Sequence, residues 1–161
     1  FEPNKKIIDL LIDNLKANKF EKRVHVIRKA ISDKKSLTEI DDYGAIGELI
    51  TTDTISLDEY VSENSIKELD LLKVDVEGFE PKVIEGAMKT IKKFRPTILI
   101  EILNDDIGEF IENKLKNLDY LFFDIDDSKN LVKKSMHIRK SSFFNYLICS
   151  NQKAKELKLI S

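Results

Sequence analysis

With one cysteine, Cys149, the chain cannot form an intrachain disulfide. Its place in the apolar run Tyr146-Leu147-Ile148-Cys149 marks it as a small buried hydrophobe rather than a nucleophile. No secretory signal is visible, which with the lone thiol favours a reducing, cytoplasmic setting. No apolar run approaches the roughly 20 residues of a membrane-spanning helix, so no membrane partner is expected. Charge of one sign is missing as well: 27 basic residues stand against 29 acidic ones, for a net charge of −2. Such a chain has no basic field to gather nucleic acid. There is no internal repeat and no low-complexity tract. The last absence is a glycine turn for phosphate or nucleoside. Gly44-Ala45-Ile46-Gly47 follows no buried strand, and its spacing is wrong for a dinucleotide-type loop.

What is present fits a single α/β domain of 161 residues, with a core at residues 1–150 and a frayed, lysine-rich tail at 151–161. Asn4 caps a helix running to about residue 18, with Ile7, Ile8, Leu11, Ile12 and Leu15 on one stripe. Residues 24–31 read as a strand closed by the turn Ser32-Asp33-Lys34-Lys35. Residues 41–53 show no period and read as a loop, with a short strand at 51–55. Ser56 and Glu59 form a capping box for a short helix through residue 61.

The stretch from 71 to 101 carries the most information: LLKVDVEGFEPKVIEGAMKTIKKFRPTILIE. Residues 71–76 are a buried parallel strand, and Pro81 opens a helix whose stripe is Val83, Ile84, Ala87, Met88 and Ile91. Arg95-Pro96 ends that helix, and residues 97–101 return as a strand, completing a right-handed βαβ unit. A helix at 106–117 follows. Strands at 120–125 and 143–149 are expected to be antiparallel neighbours, because the polar connection between them is too short for a crossover.

Acids gather where ligands bind in such sheets, outside the carboxyl ends of the strands: Asp75, Glu77 and Glu80 after the first strand, Glu101 at the end of the second. Asp75 is the leading candidate for a base that accepts a hydroxyl proton. A neighbouring Glu101 can raise one pKa of the pair and poise it for that role. Glu77 is the third catalytic candidate. Asp75, Glu77 and Glu101 also offer oxygens suited to magnesium, manganese or calcium, a lesser reading in which no metal ligand is assigned. Glu80 reads as a helix-start acid without further role. His25 and His137 read as surface or satisfied histidines, and Lys133, Lys134, Arg139 and Lys140 as a solvated basic loop.

K-V-D-V-E-G-F-E, V-I-E-G-A and R-P-T-I-L-I-E, preceded by F-E-P-N and A-I-S-D in that order, resemble the signature of the FkbM-type methyltransferases. The similarity runs from Phe1 to about Cys149. It implies a class I, Rossmann-like methyltransferase fold, a mostly parallel sheet flanked by helices with the last hairpin strand reversed. It further implies S-adenosylmethionine as cofactor and methyl transfer to a hydroxyl of a sugar, glycan or small metabolite. By resemblance Glu2 holds the ribose hydroxyls, Ile31, Ser32 and Asp33 line the adenine, and Asp75 is either the base or a cofactor contact.

The family's first strand and glycine loop have no counterpart in these residues. The N-terminal strands are therefore expected to be missing and the activity of this chain alone is doubtful. The strand at 71–76 should then be an exposed edge that invites a second copy. Two other readings stand beside the enzyme: a non-catalytic binding or assembly module that retains the fold, and a carboxylate-metal hydrolase using Asp75, Glu77 and Glu101.

Overall fold

The computed structural model describes residues 1–41 and 49–161. Gly44 and Gly47, and with them most of the expected loop, lie outside the described residues. The element order is α1 (Lys5–Ala17), β1 (Ala30–Ser32), β2 (Leu37–Asp41), β3 (Leu49–Ser56), α2 (Leu57–Glu63), β4 (Leu71–Val74), α3 (Glu80–Glu85), α4 (Met88–Phe94), β5 (Thr97–Glu101), α5 (Asp105–Leu115), β6 (Tyr120–Asp126), β7 (Leu131–Ser135), β8 (Asn145–Ser150) and α6 (Asn151–Glu156).

Among the described residues the strands form two mixed sheets, ordered β1-β3-β2 and β4-β5-β8-β6-β7. Only β1 with β3 and β4 with β5 pair in parallel; the remaining ladders are antiparallel. The expectation of one mostly parallel sheet is corrected accordingly. The reason lies at both ends of the chain: β2 folds back on β3, and β8 inserts between β5 and β6, which run the same way. The carboxyl ends of β4, β5 and β6 therefore share one edge with the start of β8.

Most local signals hold. Asn4 accepts the Lys6 N–H at 2.9 Å and caps α1. The Ser56–Glu59 capping box closes both ways, at 3.2 and 3.0 Å. The βαβ register, Leu71 with Thr97 through Val74 with Ile100, buries Val74, Ile98 and Ile100 against Val83, Ile84 and Ile91. That alternation puts Leu71 and Lys73 on the opposite, exposed face of β4.

Four expectations are corrected. The strand proposed for residues 24–31 is regular only at Ala30–Ser32; before it, the Ile27 carbonyl accepts the Glu2 N–H at 3.0 Å in place of a ladder. The loop proposed for 41–53 gives way at its ends to β2 and β3, whose pairing starts at Asp41 with Leu49. The connection between β6 and β8 holds β7, an exposed hairpin strand bonded to β6. The tail is no frayed end: Ser150 caps α6, and Ala154 is fully buried with Phe123 and Cys149.

The helix after β4 is also two helices rather than one. Asp58, on α2, accepts the N–H groups of Lys89 at 3.0 Å and Thr90 at 2.7 Å, so a side chain from another helix serves as the cap of α4. The Asp58 N–H bonds back to the Gly86 carbonyl at 2.9 Å. Gly86 fits there because it lacks a side chain: a Cβ would stand 2.2 Å from the Ser32 carbonyl oxygen and 2.8 Å from Asp33 Cα. This contact joins the two sheets, because Ser32 ends β1 and Gly86 ends α3. No helix among the described residues is long and apolar enough to cross a membrane.

Candidate functional site

A cavity of about 540 Å³ opens along the seam between the sheets. One lip carries Glu2, Ile31, Ser32 and Asp33; the other carries Asp75, Glu77, Phe79 and Lys82. Six residues singled out from the sequence thus line one space, although they come from segments 73 positions apart between Glu2 and Asp75.

The first lip is held by a buried threonine. Thr54 Oγ1, on β3, donates to the Lys34 carbonyl at 2.7 Å and accepts the Ser36 N–H at 2.8 Å, fixing the bend that presents Asp33. Asp33 Oδ1 accepts from Ser32 Oγ at 3.0 Å. Glu2 Oε1 accepts the Asn4 N–H at 2.8 Å, so this carboxylate is oriented by the start of α1. Thr54 was invisible as a site residue in the sequence, since nothing in T-D-T-I-S separates a lip-forming threonine from an ordinary strand residue.

The second lip is the turn after β4. Glu77 (φ 53°) and Gly78 (φ 96°) are both left-handed, a shape that suits glycine and strains glutamate. Glu80 holds that turn: it is fully buried, and its Oε1 accepts the N–H groups of Val76 and Gly78, each at 3.1 Å. Its role is thus wider than that of a helix-start acid. Phe79 and Lys82, one helical turn apart, add an aromatic face and a cation, with the Lys82 ammonium 5.5 Å from the ring centre.

Beside the cavity the acids converge. Asp75, Glu77 and Glu101 bring carboxylate oxygens within 4.8 Å of one another, a spacing at which they could hold a divalent cation. Asp75 is also ion-paired with Lys73 at 2.5 Å, with both side chains about half exposed. Glu101 is placed differently. It lines no part of the cavity, and its Oε2 is buried without a hydrogen-bond donor among the described residues. Burial first, then the charges of Asp75, Glu77 and Glu80, push its carboxyl above the ordinary range, against a smaller opposing pull from Lys73.

The remaining titratable candidates serve the scaffold. His137 Nδ1 bonds Glu112 at 3.0 Å, and Arg139 lies 3.4 Å from the same carboxylate, so that loop is tied to α5. Cys149 is fully buried, and its thiol is pushed up by that burial. His25 is exposed.

The Methyltransferase FkbM domain family matches residues 1–122. The chain belongs to that family. Among solved structures it is similar to the methyltransferase FkbM from Methylobacillus flagellatus KT, with a TM-score of 0.62 and 14% identity. That alignment covers 92% of this chain and 35% of the other, so this chain spans about a third of its structural neighbour. At such identity the neighbour shows the fold alone. None of the curated proteins matches. The family match takes in both lips of the cavity and Glu101, but stops at residue 122, before β7 and β8.

Proposed function

We propose that this FkbM-family chain carries the nucleoside and acceptor regions of an S-adenosylmethionine-dependent methyltransferase acting on a hydroxyl group, in a reducing cytoplasm. One observation carries the reading: the residues that family resemblance assigns to ribose, adenine and reacting centre meet in one cavity across the seam. Its volume lies within the roughly 300–1,000 Å³ of small-molecule and cofactor sites.

The residues present fit the nucleoside part of such a cofactor. Glu2 offers a carboxylate to vicinal hydroxyls, Ile31 and Phe79 supply apolar walls, and Asp33 offers an acceptor to an exocyclic amine. When bound, S-adenosylmethionine supplies an activated methyl group that passes to an oxygen while the sulfur keeps the electron pair of the broken bond. The protein's part is to position the acceptor hydroxyl and remove its proton. Asp75 suits the second task by position, because it lines the cavity and is about half exposed. Glu77 borders the reacting centre with it, and Glu101, within 4.8 Å of both but outside the cavity lining, carries a carboxyl whose proton affinity is raised by burial and by these neighbouring charges.

Calorimetry with S-adenosylhomocysteine tests the reading. Binding is expected in the wild type, weakened by about tenfold in Glu2→Gln, which loses charge-assisted hydrogen bonds. Binding that is absent, or indifferent to Glu2, counts against it. Titration with manganese alone serves as the control for a metal-first site.

A further inference from the structure

The far edge of the larger sheet carries a patch that the cavity does not use. Residues 128–144 hold five lysines and arginines and no aspartate or glutamate, in a chain whose net charge is −2. Within that stretch β7 is bonded to β6 on one side and open on the other among the described residues. Leu131 is 48% exposed, Val132 36% and Met136 84%, the last being the most exposed large hydrophobic side chain among the described residues. Single exposed apolar side chains are ordinary, but three within one short segment, set among cations, form a patch.

The fold holds these side chains out. Ile138 is fully buried, and its N–H donates to Glu112 Oε2 at 3.0 Å. Ser135 Oγ donates to the His137 carbonyl at 2.6 Å, which closes the bend after β7 and leaves Met136 on its outer side. The neighbouring acids are largely engaged elsewhere. Asp126 pairs with Lys129, and Glu112 with His137 and Arg139. Asp127 stands 3.5 Å from Asn145 Nδ2, and Asp105 accepts the Lys140 backbone N–H at 2.7 Å. Asp124 is opposite Lys133 in the ladder but makes no ion pair with it. The ammonium groups of Lys133, Lys134 and Lys140 thus have no ion pair among the described residues, and that of Lys140 lies 5.4 Å from the Phe144 ring centre.

We infer that β7 and the bend after it form a docking surface for an anionic lipid bilayer. Leu131, Val132 and Met136 seat among the headgroups, while Lys133, Lys134 and Lys140 pair with lipid phosphates and carboxylates. The expectation of no membrane partner rests on the lack of a spanning helix, which argues against crossing a bilayer but not against lying on one. Charge complementarity selects the bilayer over two other occupants. Lysines on an edge strand oppose pairing with a second copy, which would bring like charges together. Single-stranded nucleic acid stacks its bases on aromatic rings, and Leu131, Val132 and Met136 offer none. A bilayer meets both halves of the patch, since lysine stems run along apolar surface while their heads reach the anionic groups. Four ladder steps of about 4.8 Å separate β7 from β4, which puts the patch at the opposite edge of the sheet from the cavity.

Co-sedimentation of the full chain with large vesicles tests this. Binding is expected to vesicles of phosphatidylcholine with phosphatidylserine, not to phosphatidylcholine alone, and should weaken as salt screens the charges. Lys133→Gln combined with Lys134→Gln should lower the partition coefficient by about tenfold or more. Met136→Ser leaves the charge unchanged and should lower it several-fold, which separates apolar seating from ion attraction alone. Thermal unfolding of both variants should match the wild type, because all three side chains are exposed. Absent binding to the anionic vesicles, equal binding to phosphatidylcholine alone, or indifference to either variant overturns the inference. So does self-association, or retention of poly(U) RNA, that the lysine substitutions abolish while the vesicles stay unbound.

Discussion

Replacing Gly86 by alanine adds one methyl group at a close contact between the end of α3 and β1. The new Cβ would meet the Ser32 carbonyl oxygen at 2.2 Å, Asp33 Cα at 2.8 Å and Ser56 Cβ at 2.9 Å. Two of these are backbone atoms, so no flexible side-chain end can swing away. The backbone of Gly86 itself tolerates alanine, with φ −72° and ψ −4°. On that ground alone the change would stabilise by about 0.4–1 kcal/mol through the unfolded chain. Overpacking a rigid contact costs about 1–3 kcal/mol, and at this separation the upper end applies, so the clash wins. The net loss of about 2–2.6 kcal/mol corresponds to a fall in Tm of about 4–10 °C for a chain of this size. The displaced residues, Ser32 and Asp33, form a cavity lip, so affinity for S-adenosylhomocysteine should fall in parallel. Thermal unfolding by circular dichroism and calorimetry on the same sample would measure both. Gly78→Ala is the contrast: nothing lies within 4 Å of its Cβ, and its cost comes from φ +96° alone. A Gly86→Ala protein as stable as the wild type, with unaltered ligand affinity, would refute the idea that this contact sets the seam.

Glu101 gives a pH dependence of definite sign. Its folded-state pKa is raised above 4.5, so the stability tied to its protonated form is complete below that value and is lost as pH rises through the folded pKa. Glu101→Gln should flatten that part of the curve of urea stability against pH, and an unchanged slope would discount the shift. Asp58→Ala removes the remote cap of α4 and should cost about 1–2 kcal/mol in denaturant unfolding, far more than an exposed aspartate elsewhere. The β4 edge carries Leu71 at 57% exposure and is bonded on one side only among the described residues. Light scattering should therefore show concentration-dependent association that Leu71→Lys reduces; equal behaviour of the two proteins would dismiss the edge as the cause.

The sequence was most legible where structure is decided within a few residues. The Asn4 cap, the Ser56–Glu59 box and the alternation along residues 71–74 and 97–101 each state their geometry locally. Glu2, Asp33 and Asp75 could be named from motifs, although no spacing argument brings them to one cavity. What escaped depends on partners distant in the chain. The break at Gly86 needs Asp58 to cap the next helix and Ser32 to exclude a side chain. The strand at 131–135 has an exposed, lysine-bearing pattern that means little until β6 lies beside it. Residues 24–29 have strand-like composition, yet their carbonyl at Ile27 is taken by Glu2.

A seam that is also a binding site gives any occupant a mechanical role. The two sheets share no ladder among the described residues, and the close approach of Gly86 to Ser32 is one of the contacts between them, while the cavity has one lip on each. A molecule gripping both lips adds a tie between them, beside the Asp58 hydrogen bonds to α4 and the packing of Ile31 and Leu57 into the shared core. At a concentration one hundred times its dissociation constant it would add about 2.7 kcal/mol to the closed form. Hydrogen exchange at Ser32, Asp33 and Gly86 should therefore slow on ligand addition well before exchange in the β5–β8–β6 ladder changes. The nucleoside pocket would then serve as the latch that sets how long the two halves stay in register.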